Sequence, residues 1–145
     1  MATIYRAMKQ TDDGLPVVGS GSKEFGVRVL PNPNADVDVD GKGDVILNGK
    51  GMSVVENWRC LLPHLIPKRL KAVVSGAAGP NNLACFRYGQ GPFFPGPLSD
   101  RLSLSLKGHD SRHGNVVPSQ SMPERQFQFQ DELAATRGEW TIDET

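Results

Sequence analysis

The sequence predicts an α+β domain in which short strands form a sheet split or curled around a cleft, with a few short helices and long loops. Three observations carry this. The 145 residues include 16 Gly and 11 Pro, which interrupt helices too often for a helical bundle. Runs such as "RLSLSLKG" alternate apolar and polar residues with the period of a strand. One late segment, "SMPERQFQFQDELAATRG", carries helix start and stop signals. The length fits one domain spanning residues 1–145.

Along the chain, "ATIYRAM" opens as a strand with Ile4 and Arg6 on one face and Tyr5 on the other. Residues 11–35 hold the turn clusters "DDG", "GSGS" and "PNPN", and only "EFGVRVL" between them has strand character. "ADVDVDGKGDVIL" reads as two strands joined by the "DGKG" turn, with Val37 and Val39 alternating with solvated aspartates. "GKGMSVV" follows, with Met52, Val54 and Val55 starting a strand around Ser53.

Trp58, Leu61, Leu62 and Leu65 recur at helical spacing, but Pro63 and Pro67 divide them into two short helical turns, the second in "PKRLKAV". "LACFRYG" is a buried strand, "QGPFFPGP" an irregular loop, and "RLSLSLKG" a strand with Leu102, Leu104 and Leu106 on one face and Ser103 and Ser105 on the other. In the last helix Ser121 is the expected cap, with Pro123 and Glu124 in the first turn; Phe129 and Leu133 face the core and Gly138 ends it. "EWTID" closes the chain as a strand.

Lysine plus arginine equals aspartate plus glutamate at 16 each, so no net field favours nonspecific nucleic-acid binding or an anionic membrane surface. The start, "MATIYRAMKQ", lacks the apolar run of a cleaved secretory signal, and no segment has the roughly 20 apolar residues of a membrane span. The expected location is cytoplasmic, with any export through a specialised secretion system. Cys60 and Cys85 have neither metal nor redox spacing and read as packed thiols of a reducing compartment, although a disulfide between them is also open.

Most familiar chemistries find no support. His109 and His113 are four residues apart, but "GHDSRHGN" reads as a loop with no third ligand, so no metal is expected. There is no G-x-S-x-G nucleophile elbow and no G-x-x-x-x-G-K-[ST] phosphate loop, and "GSGSKEFG" lacks the strand-to-helix setting of one. Ser53 has two readings: a hydroxyl bonded to a neighbouring loop, or one at the mouth of a cleft. Arg6 likewise reads either as the partner of a loop aspartate or as a fixed cation aimed at a ligand.

Three segments bear on this choice. "IYRAM", "GMSVV" and "HGNVVPSQSM", His113 to Met122, resemble the marker segments of a small bacterial toxin family delivered by type VI secretion, whose fold is similar to that of ADP-ribosyltransferases. That family begins with a "YRA" strand, continues with a Thr-Ser-Val strand start, and has a histidine followed by proline five residues on and methionine nine on. Met52 stands in place of the threonine here.

The resemblance implies an ADP-ribosyltransferase-like domain that holds NAD, as substrate, between two small sheets. Arg6 and Ser53 would bind NAD and, with Glu139 beside the closing strand, carry its chemistry; His113 is a further NAD-binding position. Glu124, Glu132 and Glu144 compete for the acidic role, but Glu124 reads as a cap and Glu132 as a solvated helix face. The implied activity is ADP-ribosyl transfer to a macromolecular target, or NAD hydrolysis, in the cytoplasm of a target cell, with an immunity protein as partner. The alternative is a non-catalytic nucleotide- or protein-binding module of the same fold.

Overall fold

The computed structural model describes residues 2–108, 110–119 and 124–145. Seven strands are present among them: β1 (Ile4–Lys9), β2 (Met52–Val55), β3 (Leu83–Tyr88), β4 (Gly96–Pro97), β5 (Leu102–Lys107), β6 (Asp110–Pro118) and β7 (Thr141–Ile142). One α-helix, α1, spans Gln126–Ala135, and 3-10 turns occupy Trp58–Cys60, Pro63–Leu65, Lys68–Leu70 and Arg137–Glu139.

The strands form one open antiparallel sheet in the order β4-β5-β6-β2-β1-β3-β7. This corrects the expected split or curled core of ADP-ribosyltransferase type. β1 bonds to β3 on one side and meets β2 on the other at Tyr5↔Val55, so the two halves are stitched into one sheet. Strand signals in a sequence locate strands but not their partners, and pairing decides whether a sheet divides.

Alternation sends successive side chains to opposite faces. Ile4, Met8, Met52, Val54, Phe86 and Val116 point to one face, where Phe129 and Leu133 of α1 close the main core with Phe25 and Trp140. Tyr5, Val55 and Cys85 point to the other, covered by Trp58, Ile66 and Ala77 from the segment of 3-10 turns. The sheet is thus the middle of three layers, α1 on one side and the proline-divided turns on the other.

Several local expectations shift. "EFGVRVL" makes one bridge, Val18↔Phe25, instead of a strand, because Gly26, at φ 149°, lies against the Gly19 carbonyl where a Cβ would come within 2.3 Å. The "DGKG" turn forms, with Asp40 Oδ1 accepting from the Lys42 and Asp44 amides, but its flanks pair only at Val39↔Val45. Pro63 and Pro67 yield two 3-10 turns after the one at Trp58, each proline at or just before a first position. Ser121 and Pro123 lie outside the described residues. Glu124 precedes α1 instead of entering its first turn; it is buried and ion-paired with Arg101, while the Gln128 side chain accepts from the Arg125 amide at the helix start. Gly138 falls inside the 3-10 turn that continues α1.

Candidate functional site

The glycines before Ser53 set the geometry of β2. Gly49 adopts φ 85°, and its carbonyl accepts from Asn115 Nδ2 at 2.9 Å. Gly51 is packed so closely on β6 that a Cβ would sit 2.0 Å from the Val116 carbonyl oxygen. Only glycine permits that approach, and the approach registers Ser53 opposite Asn115 and Val55 opposite His113. The junction of β2 with β1 is different. Its register holds at Tyr5↔Val55 alone, whereas β1 and β3 register over six pairs.

Arg6, the next residue along β1, lies where that pairing ends. Its side chain leaves from the Ile4 and Met8 face, and its guanidinium is enclosed by carbonyls: Nε donates to Glu24 at 3.3 Å, Nη1 to Ser53 at 2.8 Å, and Nη2 to Ser22 at 3.1 Å and Glu24 at 3.0 Å. Four donations leave one of its five N–H groups, on Nη1, unused. Arg6 is 9% exposed, and among the described residues it has no salt bridge. Burial pushes its pKa down to about 10, with Asp36 opposing the shift, so it remains a cation at neutral pH held at an energetic disadvantage. An approaching anion would reverse that disadvantage.

Arg6 and Ser53 line one cavity of about 210 Å³, together with Ser22, Arg28, Asp36 and Leu61. The lining draws on both faces of the sheet, as expected of a hollow at the parting of β1 and β2. Ser53 is exposed, and among the described residues its hydroxyl has no hydrogen-bond partner, so the reading in which it braces a loop does not hold. A second cavity, of about 350 Å³, shares Ser53, Val55, Leu61 and Leu65 with the first and adds Leu62, Lys107 and His113. The two adjoin, giving a cleft with Arg6 at one end, His113 and Lys107 at the other, and leucines along one wall.

The structure therefore places Arg6 and Ser53 on one cavity and Ser53 and His113 on the next, with Ser53 common to both. Glu139 lies elsewhere, in the 3-10 turn after α1, lining a separate cavity of about 360 Å³ with Arg87, Tyr88, Gln90 and Thr141. Of the competing acids, Glu132 is ion-paired with Arg101, and Glu144 holds Arg69 with both oxygens. His109 lies outside the described residues; among those described, no group of three or more His, Cys, Asp or Glu is placed to hold a metal ion. No described helix is long and apolar enough to cross a membrane.

Arg28 and Asp36 are site residues that sequence reasoning missed. They face each other across the "PNPN" turn in a bidentate pair, with Nη2 to Oδ1 at 2.9 Å and Nε to Oδ2 at 3.2 Å. The three carbonyls around Arg6 were equally hidden, since backbone groups carry no residue signature. No protein-family model, curated protein or solved structure matches the chain.

Proposed function

We propose that the cleft from Arg6 to His113 binds NAD and that the protein is a toxin-like enzyme consuming it, by ADP-ribosyl transfer to a macromolecule or by hydrolysis. The observation that carries this is the buried Arg6 guanidinium, which has no salt bridge to a carboxylate among the described residues and lines a cavity. A buried cation whose hydrogen bonds go to carbonyl oxygens, with Asp36 acting on it only at longer range, is a receptor for an anion, and a pyrophosphate meets its charge and its spare N–H together. The size is suitable, because the two adjoining cavities, of about 210 and 350 Å³, together fall within the roughly 300–1,000 Å³ of small-molecule sites.

In this reading Arg6 holds the pyrophosphate. The Ser53 hydroxyl, where the cavities meet, bonds a ribose; Leu61, Leu62 and Leu65 supply an apolar wall for a ring; His113 and Lys107 bound the far end. Breaking the nicotinamide glycosidic bond passes through a cation-like ribose, so fixing the phosphate and ribose removes much of the orientational cost. NAD is cytoplasmic, which suits a protein delivered into a target cell and neutralised in its producer by an immunity partner.

A second reading, a non-catalytic nucleotide-binding module, is favoured by the position of Glu139 away from the cleft. One assay separates the two. Purified protein is incubated with labelled NAD and a cell lysate, and free nicotinamide and labelled macromolecules are measured. Release that disappears in a folded Arg6→Met variant supports the enzyme; saturable binding without release supports the module. If NAD is neither bound nor consumed, both fail.

A further inference from the structure

The Arg6 cavity contains a carboxylate of its own, that of Asp36. We infer that Asp36, and not Glu139, is the acidic residue of the site, accepting a hydrogen bond from the nicotinamide ribose and stabilising the positive charge that develops there. This assignment rests on the NAD reading above.

The geometry favours it in three ways. Asp36 is the one carboxylate among the described residues lining the hollow that Arg6 and Ser53 share. Its orientation is fixed, because Arg28 donates its backbone N–H to Oδ2 at 2.7 Å, Nε to Oδ2 at 3.2 Å and Nη2 to Oδ1 at 2.9 Å. A carboxylate offers about four acceptor directions. Three are occupied, which leaves one on Oδ1 for a ribose hydroxyl. The cavity thus presents a spare donor on Arg6 Nη1 and a spare acceptor on Asp36 Oδ1, the complement of a phosphate next to a sugar.

The chemistry balances without another reagent. The C1′–N bond to nicotinamide breaks and its electron pair leaves with the neutral base; the ribose left at C1′ is cationic, and a nearby anion lowers the energy of reaching it. Water or a target nucleophile then adds at C1′ and loses one proton to solvent, giving ADP-ribose or its conjugate.

The test is nicotinamide release by the full chain and three variants, with thermal melts run in parallel. Asp36→Asn is expected to lower kcat about 10²-fold, the scale for losing one preorganised electrostatic group, with KM within about threefold. Arg28→Gln removes part of the brace but keeps the carboxylate and the Arg28 backbone donation, and is expected to lose clearly less kcat than Asp36→Asn; an equal loss in both, with matching falls in melting temperature, would assign the pair a structural role and overturn the assignment. Glu139→Gln tests the rival acid and is expected to retain release. Should Asp36→Asn not fold, Asp36→Glu displaces the carboxylate by one methylene and is expected to lose about tenfold or more, given the cost of small misplacements. Wild-type release with undiminished kcat in the folded Asp36 variant overturns this assignment alone. A wild-type protein that releases no nicotinamide overturns it together with the NAD-consuming reading.

Discussion

Replacing Gly51 with alanine puts a methyl carbon 2.0 Å from the Val116 carbonyl oxygen, 2.9 Å from the Val116 carbonyl carbon and 3.2 Å from Val117 Cγ1. The first obstacle is backbone in the neighbouring strand, which no rotamer change relieves. To bring that contact back to 3.0 Å, β2 must withdraw from β6 by about 1 Å. An N–H···O bond stretched by that much is no longer a hydrogen bond. The nearest register pairs are Met52↔Val116 and Ser53↔Asn115. Losing about two ladder bonds at about 1 kcal/mol each, plus the disturbed packing of Met52 and Val54, gives about 2–4 kcal/mol. For a chain of this length about 1 kcal/mol corresponds to roughly 3 °C, so Tm should fall by about 6–12 °C. Thermal unfolding by circular dichroism measures this, with Gly138→Ala as control, since a Cβ there meets nothing within 4 Å. A Gly51→Ala melt within about 2 °C of wild type would refute the close approach that sets Ser53 in place.

Three further outcomes follow from the same geometry. Arg6→Lys keeps the charge but cannot fork onto the Ser22, Glu24 and Ser53 carbonyls together; we expect about 1–3 kcal/mol of lost stability by denaturant titration, and NAD affinity lower by about tenfold or more by calorimetry. Glu144→Gln breaks the bidentate pair with Arg69 and weakens acceptance from the buried Cys85 amide; because Arg69 is 37% exposed the loss is held to about 1–2 kcal/mol, read as a Tm lower by about 3–6 °C. Burial, reinforced by the Glu144 charge, pushes the Cys85 thiol up to about 12, so a thiol reagent at pH 8 should label the half-buried Cys60 in the native protein and Cys85 only after unfolding. Rapid native labelling of both would contradict the burial of β3.

Much of the framework was readable because its signals are local. Local runs of β-branched, aromatic and apolar residues located β1, β2 and β3, alternation located β5 and put Leu102 and Leu104 inward, and the four-residue spacing of Phe129 and Leu133 gave the buried stripe of α1. One local reading failed outright, since residues 110–115, read as loop for their polar and glycine content, lie in β6; the other main failures were non-local. Nothing in "IYRAM" or "GMSVV" says that Tyr5 and Val55 pair and join the halves into one sheet. The same holds for the site. Arg6 and Ser53 were identified as its members, yet alternation sends their side chains to opposite faces, and their direct contact runs from a guanidinium to a backbone carbonyl. Asp36 stood in the "DVDVD" run as one of several solvated aspartates, and only the fold of the loop against Arg28 distinguishes it. Glu139 was drawn in by its position beside the closing strand, whose edge faces a different hollow.

The central claim is that an anionic dinucleotide enters at the parting of β1 and β2. Titrating isotope-labelled protein with NAD and following its amide and arginine side-chain resonances tests it most directly. The account predicts saturable shifts at Arg6 Nε, Ser53, Val55 and His113, extending to Arg28 and Asp36, with Arg87 to Gln90 and Thr141 unmoved. Shifts gathered instead around Glu139 and Thr141, or none at millimolar NAD, would contradict it.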